Sequence, residues 1–387
     1  MLPFRRVPLA WANLVHNKVK LAASLAGITF AVALMFMEMG FYNALLDGMV
    51  GLLRKFDADL ILTSRTRYTI GFKESFSRRH LNEALQFQDV LAANPIYIET
   101  RMARWRVLDS GLQIPVRVVA FRLADEAFTD QEIQAQTAAL QVPNSALFDR
   151  SGKARLYGRP RIGDVTELSD RRLHVVGEFG LGADFLNDGN LVMSDRNFLN
   201  YFADRRGADP ESLPVDIGLI KVRRGTTDRV KASLKEALPP SVEVFTKDQF
   251  IHNEKQFWLQ NTPVGFVFWL GMVFGFVVGV VICYQILFSE ISSYIREYAT
   301  LLAIGYRRVD LVQVVLLEAL YLAVMGFVAG TVVSFVCYRV IQELTSIPFI
   351  LSTCRVTLIF AFTLLMCLIS ACLAIGKLWS AAPADLF

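Results

Sequence analysis

Cysteine, histidine and charge are scarce in this chain, and each shortage excludes a class of protein. The 387 residues include five cysteines, four histidines and 20% charged residues, with a formal net charge of +4. So small a charge excludes a strongly basic nucleic-acid-binding protein, and 53% apolar residues exclude a disordered chain. No CxxC pair occurs and the histidines lie far apart in the sequence, so no metal site is expected.

The motifs of enzymes that hydrolyse nucleotides or esters are also missing. Gly152-Lys153 and Gly376-Lys377 both lack the upstream glycine of a phosphate-binding loop, and no GxSxG or HExxH pattern is present. We therefore predict that the chain is not an enzyme and that it binds no cofactor of its own.

Charged residues are concentrated in one segment. Residues 47–257 hold 30 of the 40 Lys and Arg and 29 of the 36 Asp and Glu, but none of the cysteines. The other 176 residues carry only 17 charges. This contrast predicts a water-soluble domain inserted into a membrane protein.

Four segments are long and apolar enough to cross a bilayer, which takes about 20 residues as helix. Two of them carry no charge and two carry one each. The first is too long for the apolar region of a cleavable signal peptide. The predicted spans are residues 21–46, 263–289, 311–338 and 356–376.

The Lys and Arg residues of the short loops predict the orientation. Eight of them lie in residues 1–20, the loop 290–310 and the tail 377–387, whereas the short loop 339–355 has two. Both termini and the 290–310 loop are therefore predicted to be cytoplasmic, and residues 47–257 periplasmic. Residues 1–20 also have an amphipathic pattern, which indicates either an interfacial helix before the first span or an ordinary charged flank.

The domain at 47–257 has the pattern of a mixed sheet with helices. Ser110-Gly111 predicts a hairpin between 104–108 and 115–121, and a strand, a helix and a strand follow one another within 217–245. The predicted fold class is an integral membrane protein with four transmembrane α-helices and a large α+β extracytoplasmic (periplasmic) domain between helices 1 and 2.

Two carboxylates fall within the predicted spans. Glu38 lies toward the outer leaflet and Glu318 toward the inner leaflet, so neither is at the bilayer centre, where a charge costs roughly 2.5–3.5 kcal/mol. Two interpretations stay open for these intramembrane polar residues. Each packs against a polar neighbour inside the helix bundle, or each takes part in a proton relay.

Glycines recur at four-residue spacing on two of the spans. Such small residues let helix backbones approach closely in lipid, where no hydrophobic force drives association. The spacing is compatible with helix packing within one chain and with a dimer interface. The residues concerned are Gly271, Gly275, Gly279, Gly326 and Gly330.

The cytoplasmic segment between the second and third spans predicts a short amphipathic helix. Ser289 or Ser292 is a candidate N-cap, and Gly305 is a candidate C-terminal stop. A helix of this kind suits insertion into a groove of a partner protein, although an interfacial helix without a partner would show the same pattern.

The run from Ile295 to Gly305, followed by Glu318, Gly326 and Gly330, resembles the signature of the FtsX/MacB-like permeases of the ABC transporter superfamily. Four spans with a large outer domain after the first also resemble that family. Within it, the chain is most similar to DevC-type permeases. The stretches that carry this second resemblance are Arg67-Tyr68, 76–79, 97–105, 147–150 and Tyr157-Gly158.

This resemblance implies an inner-membrane permease that works as a homodimer with separate ABC ATPase subunits, which bind the ATP. It also implies a periplasmic adaptor (a membrane fusion protein), an outer-membrane TolC-like channel, contact with membrane lipid, and a hydrophobic or amphipathic cargo such as a glycolipid. The membrane part would transmit motion to the outer domain. The residues expected to contact the ATPase are Tyr294, Arg296, Glu297, Leu301, Ile304 and Gly305.

Three other functions stay open at this stage. The first is an FtsX-like regulator of a cell-wall hydrolase, whose outer domain is usually smaller than residues 47–257. The second is a lipoprotein-releasing permease with a soluble carrier outside. The third is an intramembrane enzyme, for which no catalytic dyad is found in the spans.

Overall fold

The computed structural model describes residues 7–206, 213–347, 349 and 351–380. It divides into two compact units. We call the first the membrane unit; it comprises the described residues up to Asn43, then Val264–Val340, then those from Phe349 onward. The second, the α/β unit, comprises Ala44–Pro263 with the short segment Ile341–Pro348.

The helices are given in chain order. They are α1 (Val7–His16), α2 (Lys18–Met49), α3 (Gly51–Lys55), α4 (Arg79–Ala84), α5 (Gln131–Ala135), α6 (Ala154–Tyr157), α7 (Asp195–Tyr201), α8 (Thr227–Ala237), α9 (Lys247–Asn261), α10 (Pro263–Ser293), α11 (Ile295–Ala303), α12 (Arg308–Thr345) and α13 (Thr353–Ser380).

The strands of the α/β unit follow. They are β1 (Leu60–Ser64), β2 (Phe76–Ser77), β3 (Val90–Glu99), β4 (Arg104–Arg106), β5 (Gln113–Pro115), β6 (Arg117–Phe121), β7 (Ser145–Asp149), β8 (Val165–Leu168), β9 (Arg171–Phe179), β10 (Asn190–Ser194), β11 (Pro214–Val215), β12 (Ile217–Val222) and β13 (Val242–Thr246).

Four helices are long and apolar enough to cross a membrane, namely α2, α10, α12 and α13. At about 1.5 Å per residue, the 31 residues of α10 measure roughly 47 Å, which is longer than the roughly 30 Å hydrocarbon core. The helices therefore extend beyond the predicted spans at several ends. With the α/β unit between α2 and α10, the predicted fold class is confirmed.

The N-terminal region differs from the single helix predicted for residues 1–20. Here α1 ends at His16, and the side chain of Asn17 accepts a hydrogen bond from the Lys20 backbone N–H at 3.0 Å, which starts α2. Residues 18–20 therefore belong to the first span helix. Residues 1–6 of the predicted N-terminal helix and residues 381–387 of the predicted cytoplasmic tail lie outside the described residues.

The α/β unit is built on an 11-stranded mixed sheet in the order β13-β1-β12-β3-β6-β10-β7-β9-β8-β4-β5, with β11 paired to β2 separately. Strands β6 and β10 are parallel, as are β7 and β9. The predicted strand–helix–strand unit is present as β12, α8 and β13, with β1 inserted between its two strands. The predicted hairpin is wrong in its second strand, because β4 pairs with β5 and β6 pairs with β3 and β10.

Both faces of the sheet are covered. In β1 every residue is buried, with Leu60 and Leu62 in one hydrophobic core and Ile61 in the other. A strand buried on both faces shows a continuous apolar run instead of alternation. That agrees with the unbroken apolar run of Leu60, Ile61 and Leu62 within the strand.

Candidate functional site

The segment between α10 and α12 forms the short helix α11, close to the position predicted from the sequence. Neither Ser289 nor Ser292 caps it, because α10 continues through both residues to Ser293. The break falls at Tyr294, which has a non-helical backbone and precedes α11. The predicted N-caps are therefore wrong, although the helix itself is present.

The C-terminus of α11 is closed by a glycine motif. Gly305 has φ +105°, a conformation that side chains other than glycine adopt only with strain. Its N–H donates to the Leu302 carbonyl at 3.1 Å, and the N–H of Tyr306 donates to the Leu301 carbonyl at 3.0 Å. These two bonds satisfy carbonyls that the end of a helix otherwise leaves without partners.

One side of α11 faces outward. Of the six residues predicted to contact an ATPase, Arg296, Glu297, Ile304 and Gly305 are exposed. Ile304, the C-cap residue that follows α11, leaves 72% of its surface uncovered. The remaining two, Tyr294 and Leu301, are half-buried.

The other side of α11 is held by the membrane unit. Tyr298 and Ala299 are buried, with Tyr298 only 2% exposed. Burial raises the pKa of the Tyr298 hydroxyl, and the nearby carboxyl group of Glu318 raises it further. The ring of Tyr298 therefore anchors α11 on the membrane unit and leaves the opposite side free to bind.

A group of polar side chains joins the helices around this anchor. The Asn13 amide of α1 donates to Oε1 of Glu318 on α12 at 3.0 Å, and the Tyr294 hydroxyl lies 3.5 Å from the Asn13 carbonyl. Glu318 is 0% exposed and Glu290, at the end of α10, is 6% exposed. We call Asn13, Glu290, Tyr294, Tyr298 and Glu318 the anchor cluster. It ties α1, α10, α11 and α12 together.

Lys20 adds a second tie at the same end of the membrane unit. Its Nζ donates to the Ser289 carbonyl at 3.2 Å and to Oγ of Ser293 at 3.0 Å. The first turn of α2 is thereby connected to the last turn of α10.

The predicted intramembrane carboxylate Glu38 lies away from the anchor cluster. A Cβ atom on Gly271 would stand 2.5 Å from Cδ of Glu38. Gly271 thus makes room for the carboxyl group on the facing helix, and the two residues form one α2–α10 contact.

The other four predicted glycines also contact α2 or α13 of the same chain. Gly275 faces Met35 and Leu34. The remaining three pairs are Gly279 with Ala31 and Met366, Gly326 with Ile28, and Gly330 with Val32. The close approach of these glycines is used for packing within the chain, and their part in a dimer interface stays a prediction.

A buried charge network in the α/β unit was not found from the sequence. Asp216 is fully buried and is paired with Arg205 and with Nη1 of Arg67, the latter at 3.1 Å. Glu254 of α9 is also fully buried, and it accepts hydrogen bonds from the Ile70 N–H at 2.9 Å and from Nε1 of Trp258 at 3.0 Å. Burial raises the pKa of Glu254 to about 7.

Several of these residues gave no local signal in the sequence. Asn13 and Glu318 are 305 residues apart, and Arg67 and Asp216 are 149 apart. The spacing of Glu254 and Trp258 on one helical face was visible, but it does not reveal the loop against which they pack. In the part of the chain that the structure describes, no group of three His, Cys, Asp or Glu residues could hold a metal ion.

Comparison with known proteins adds a family match. Residues 269–383 match the family of the FtsX-like permease C-terminal domain. The crystal structure of the periplasmic region of MacB from Actinobacillus actinomycetemcomitans is 12% identical, with a TM-score of 0.34, and the match covers 52% of this chain and 93% of that one. The extracellular domain of the noncanonic ABC-type transporter YknZ from Gram-positive bacteria is 9% identical, with a TM-score of 0.32, over 49% of this chain and 99% of that one. No curated protein is significantly similar.

The sequence match covers most of the anchor cluster. It begins in the first turns of α10 and includes all of α11 and α12. The helix that exposes Ile304 and buries Tyr298 is thus part of the matched region, together with Glu318. Residues 269–383 are therefore similar to the FtsX-like permease C-terminal family.

Proposed function

We propose that the chain is the permease subunit of an ABC-type export system and that α11 is its coupling helix. The single observation that carries the proposal is the division of α11 into two sides. Arg296, Glu297 and Ile304 are exposed, while Tyr298 is buried in the anchor cluster. A helix with one free side and one fixed side can bind a partner and pass its displacement to the membrane unit.

The route of the displacement follows from the contacts. A push on α11 moves Tyr298, and with it the Asn13–Glu318 hydrogen bond that joins α1 to α12. Because the glycines of α10 and α12 pack closely on α2, these helices move as a group and not one at a time. ATP is bound and hydrolysed by a separate ATPase subunit, and this chain supplies no cofactor site.

The finer features of the system are part of the same proposal. The chain forms a homodimer in the inner membrane, with both termini and α11 in the cytoplasm and the α/β unit in the periplasm. That unit contacts an adaptor and, through it, an outer-membrane TolC-like channel, as in DevC-type exporters. The cargo is hydrophobic or amphipathic. The excess of Lys and Arg at the α11 side and the large size of the inserted domain support this arrangement.

The test is a pull-down of the tagged full chain from native membranes in mild detergent, with mass spectrometry of the bound proteins. An ATPase together with a periplasmic adaptor is the expected result. An ATPase with a wall hydrolase or a lipoprotein carrier would contradict the export function and favour one of the alternatives. Absence of any ATPase would contradict the coupling role of α11.

A matched pair of variants makes the pull-down specific. Ile304→Asp places a charge on the exposed side of α11 and is expected to abolish ATPase capture without lowering thermal stability. Val19→Asp changes an exposed apolar residue just before the first predicted span, on the same side of the membrane unit as α11, and serves as the control for a charge elsewhere. Equal loss of capture in both variants would contradict a specific contact through Ile304.

A further inference from the structure

Four apolar side chains from three segments form an exposed surface on the α/β unit. Tyr68 stacks on Phe257 with ring centroids 6.4 Å apart, and Phe72 meets the same ring edge-on at 5.7 Å. Tyr68 is 65% exposed and Phe72 41%. Leu186, which is 49% exposed, lies against Gly71, next to Phe72 in the chain. We call Tyr68, Phe72, Leu186 and Phe257 the aromatic surface.

Hydrogen bonds on its buried side fix the segment that carries Tyr68 and Phe72. Arg67 points inward and donates from Nη1 to the Glu74 carbonyl at 2.8 Å and to the Asp216 carbonyl at 2.7 Å. The Ile70 N–H donates to the buried carboxyl of Glu254. Buried charges are costly unless they are paired, so displacing this loop would leave Arg67 and Asp216 without their partners. The two rings therefore point outward because of the fold and not because the loop is loose.

Burying a large apolar side chain is favourable by roughly 1.5–3 kcal/mol of free energy. A fixed, exposed group of such side chains therefore favours binding of an apolar partner. The sequence position of Phe257, close to a membrane helix, indicates that this partner is lipid. Phe257 precedes Pro263, the first residue of α10, by six residues. Four residues of helix and two of extended chain span at most about 13 Å. Phe257 therefore lies within about 13 Å of the start of α10.

Aromatic residues continue into the first turns of α10. Phe266 and Trp269 are 59% and 52% exposed, and their rings stack at 6.2 Å. Aromatic rings collect at the membrane–water interface, where an apolar body and a polar edge are both accommodated. Lys73, the cation beside Phe72 in the chain, is paired with Glu99, so the aromatic surface does not depend on anionic lipid.

We propose that the aromatic surface binds lipid, resting in the headgroup layer of the leaflet that faces the α/β unit. Tyr68, Phe72 and Leu186 then meet headgroups in the way expected of the interfacial aromatic residues Phe266 and Trp269. This inference does not depend on the export function or on any ATPase.

The experiment uses the full chain in phosphatidylcholine nanodiscs, with its five cysteines replaced by alanine. A nitroxide label is attached at Phe72→Cys and, in a second variant, at Tyr68→Cys. The control is Leu112→Cys, which is 64% exposed between β4 and β5, at the sheet edge opposite β13. Collision of each label with oxygen and with a water-soluble nickel chelate is measured by power saturation.

The expected result is that positions 68 and 72 collide several-fold more with oxygen and several-fold less with the chelate than position 112. Equal chelate accessibility at all three positions would contradict the proposal. Protection from both reagents, with close label–label distances, would show a second copy of the chain as the occupant and would also contradict it.

A second measurement covers the case in which the cysteine-free chain does not fold. Phe72→Trp and Leu112→Trp are made in the native chain, and quenching by lipids brominated near the headgroup is compared with the unchanged protein. Additional quenching at position 72 only is expected. Equal additional quenching at both positions, or none at either, would contradict lipid binding.

Discussion

Asn13 and Glu318 are joined by a hydrogen bond of 3.0 Å although 305 residues separate them in the chain. The bond connects α1, before the first span, to the buried part of α12. The second carboxyl oxygen of Glu318 has no hydrogen-bond partner among the described residues. The amide of Asn13 is thus the main polar support of a fully buried carboxyl group, and the contact is central to the anchor cluster.

Asn13→Ala is expected to lower the stability of the membrane unit by about 1–3 kcal/mol, because it leaves a buried acceptor without its donor. Glu318→Gln keeps an oxygen that accepts from Asn13 and should cost less than Glu318→Ala. Thermal unfolding of the detergent-purified chain measures all three. Arg296→Ala, on the exposed side of α11, is the control and should change stability by less than about 0.5 kcal/mol. A cost for Arg296→Ala as large as that for Asn13→Ala would contradict this account.

Gly305→Ala is expected to destabilise the end of α11 by about 1–3 kcal/mol, because φ +105° is strained for any residue with a Cβ atom. No atom outside the backbone neighbours lies within 4 Å of the added Cβ, so the effect is conformational and not a clash. Amide hydrogen exchange across 295–306 would detect faster opening of the helix. Gly376→Ala is the control, since it adds a methyl group in open space within α13. Unchanged exchange in Gly305→Ala would show that the turn tolerates alanine.

The glycine contacts differ in how closely the facing side chain approaches, and this gives a matched pair. A Cβ on Gly326 would lie 2.9 Å from Cβ of Ile28, with Cγ2 closer still, whereas a Cβ on Gly275 would be 3.4 Å from Met35. Gly326→Ala should therefore lower thermal stability, and Gly275→Ala should leave it unchanged or raise it by up to about 1 kcal/mol. Addition of Ile28→Ala should restore part of the loss in Gly326→Ala. If both single variants impaired dimer formation without loss of stability, the packing within the chain would not explain these glycines.

Glu254 predicts a pH dependence of stability. Its folded pKa is raised from the ordinary 4.5 to about 7, chiefly by burial, so the folded state binds the proton more tightly than the unfolded state. The stability that this proton contributes is present below pH 4.5 and is lost as the pH rises through about 7. At 1.36 kcal/mol per unit the loss is about 3 kcal/mol. Between pH 4.5 and about 7, the free energy of unfolding of the wild type should fall by this amount relative to that of Glu254→Gln.

The control for the titration is Glu236→Gln, which changes an exposed glutamate of α8. The free energy of unfolding of this variant should change with pH in the same way as that of the wild type. Trp258 offers a local readout, since its indole N–H donates to Glu254 and its emission should change near neutral pH. An emission change that persists in Glu254→Gln would assign the titration to another group.

The spans could be predicted because more than 20 consecutive apolar residues have no other stable environment than a bilayer. The end of α11 could be predicted as well, because a glycine after an amphipathic run is a local signal that needs no distant partner. The start of α11 could not be predicted, since Ser289 and Ser292 are good caps only if the preceding helix ends before them, and the length of α10 is decided by its packing.

The partners of Glu318 and Glu254 could not be predicted. Each is a carboxyl group that the fold removes from water, and a donor that compensates it, the Asn13 amide for Glu318 and the Ile70 N–H for Glu254, comes from a segment far away in the chain. Likewise, the four-residue spacing of Gly271 and Gly326 shows that a helix approaches closely, but not which helix. The same spacing serves contacts within a chain and between chains equally well.

Local chemistry is therefore enough to establish four membrane helices, an inserted mixed α/β domain and a short helix that ends at Gly305. These features depend on hydropathy and turn geometry, which act over a few neighbouring residues. Only the tertiary structure decides that Asn13 supports Glu318, that α2 occupies both glycine faces, and that Tyr68 and Phe72 point outward. Those contacts depend on which distant segments the fold brings together, and a buried polar group or a glycine face is compatible with many partners until packing selects one.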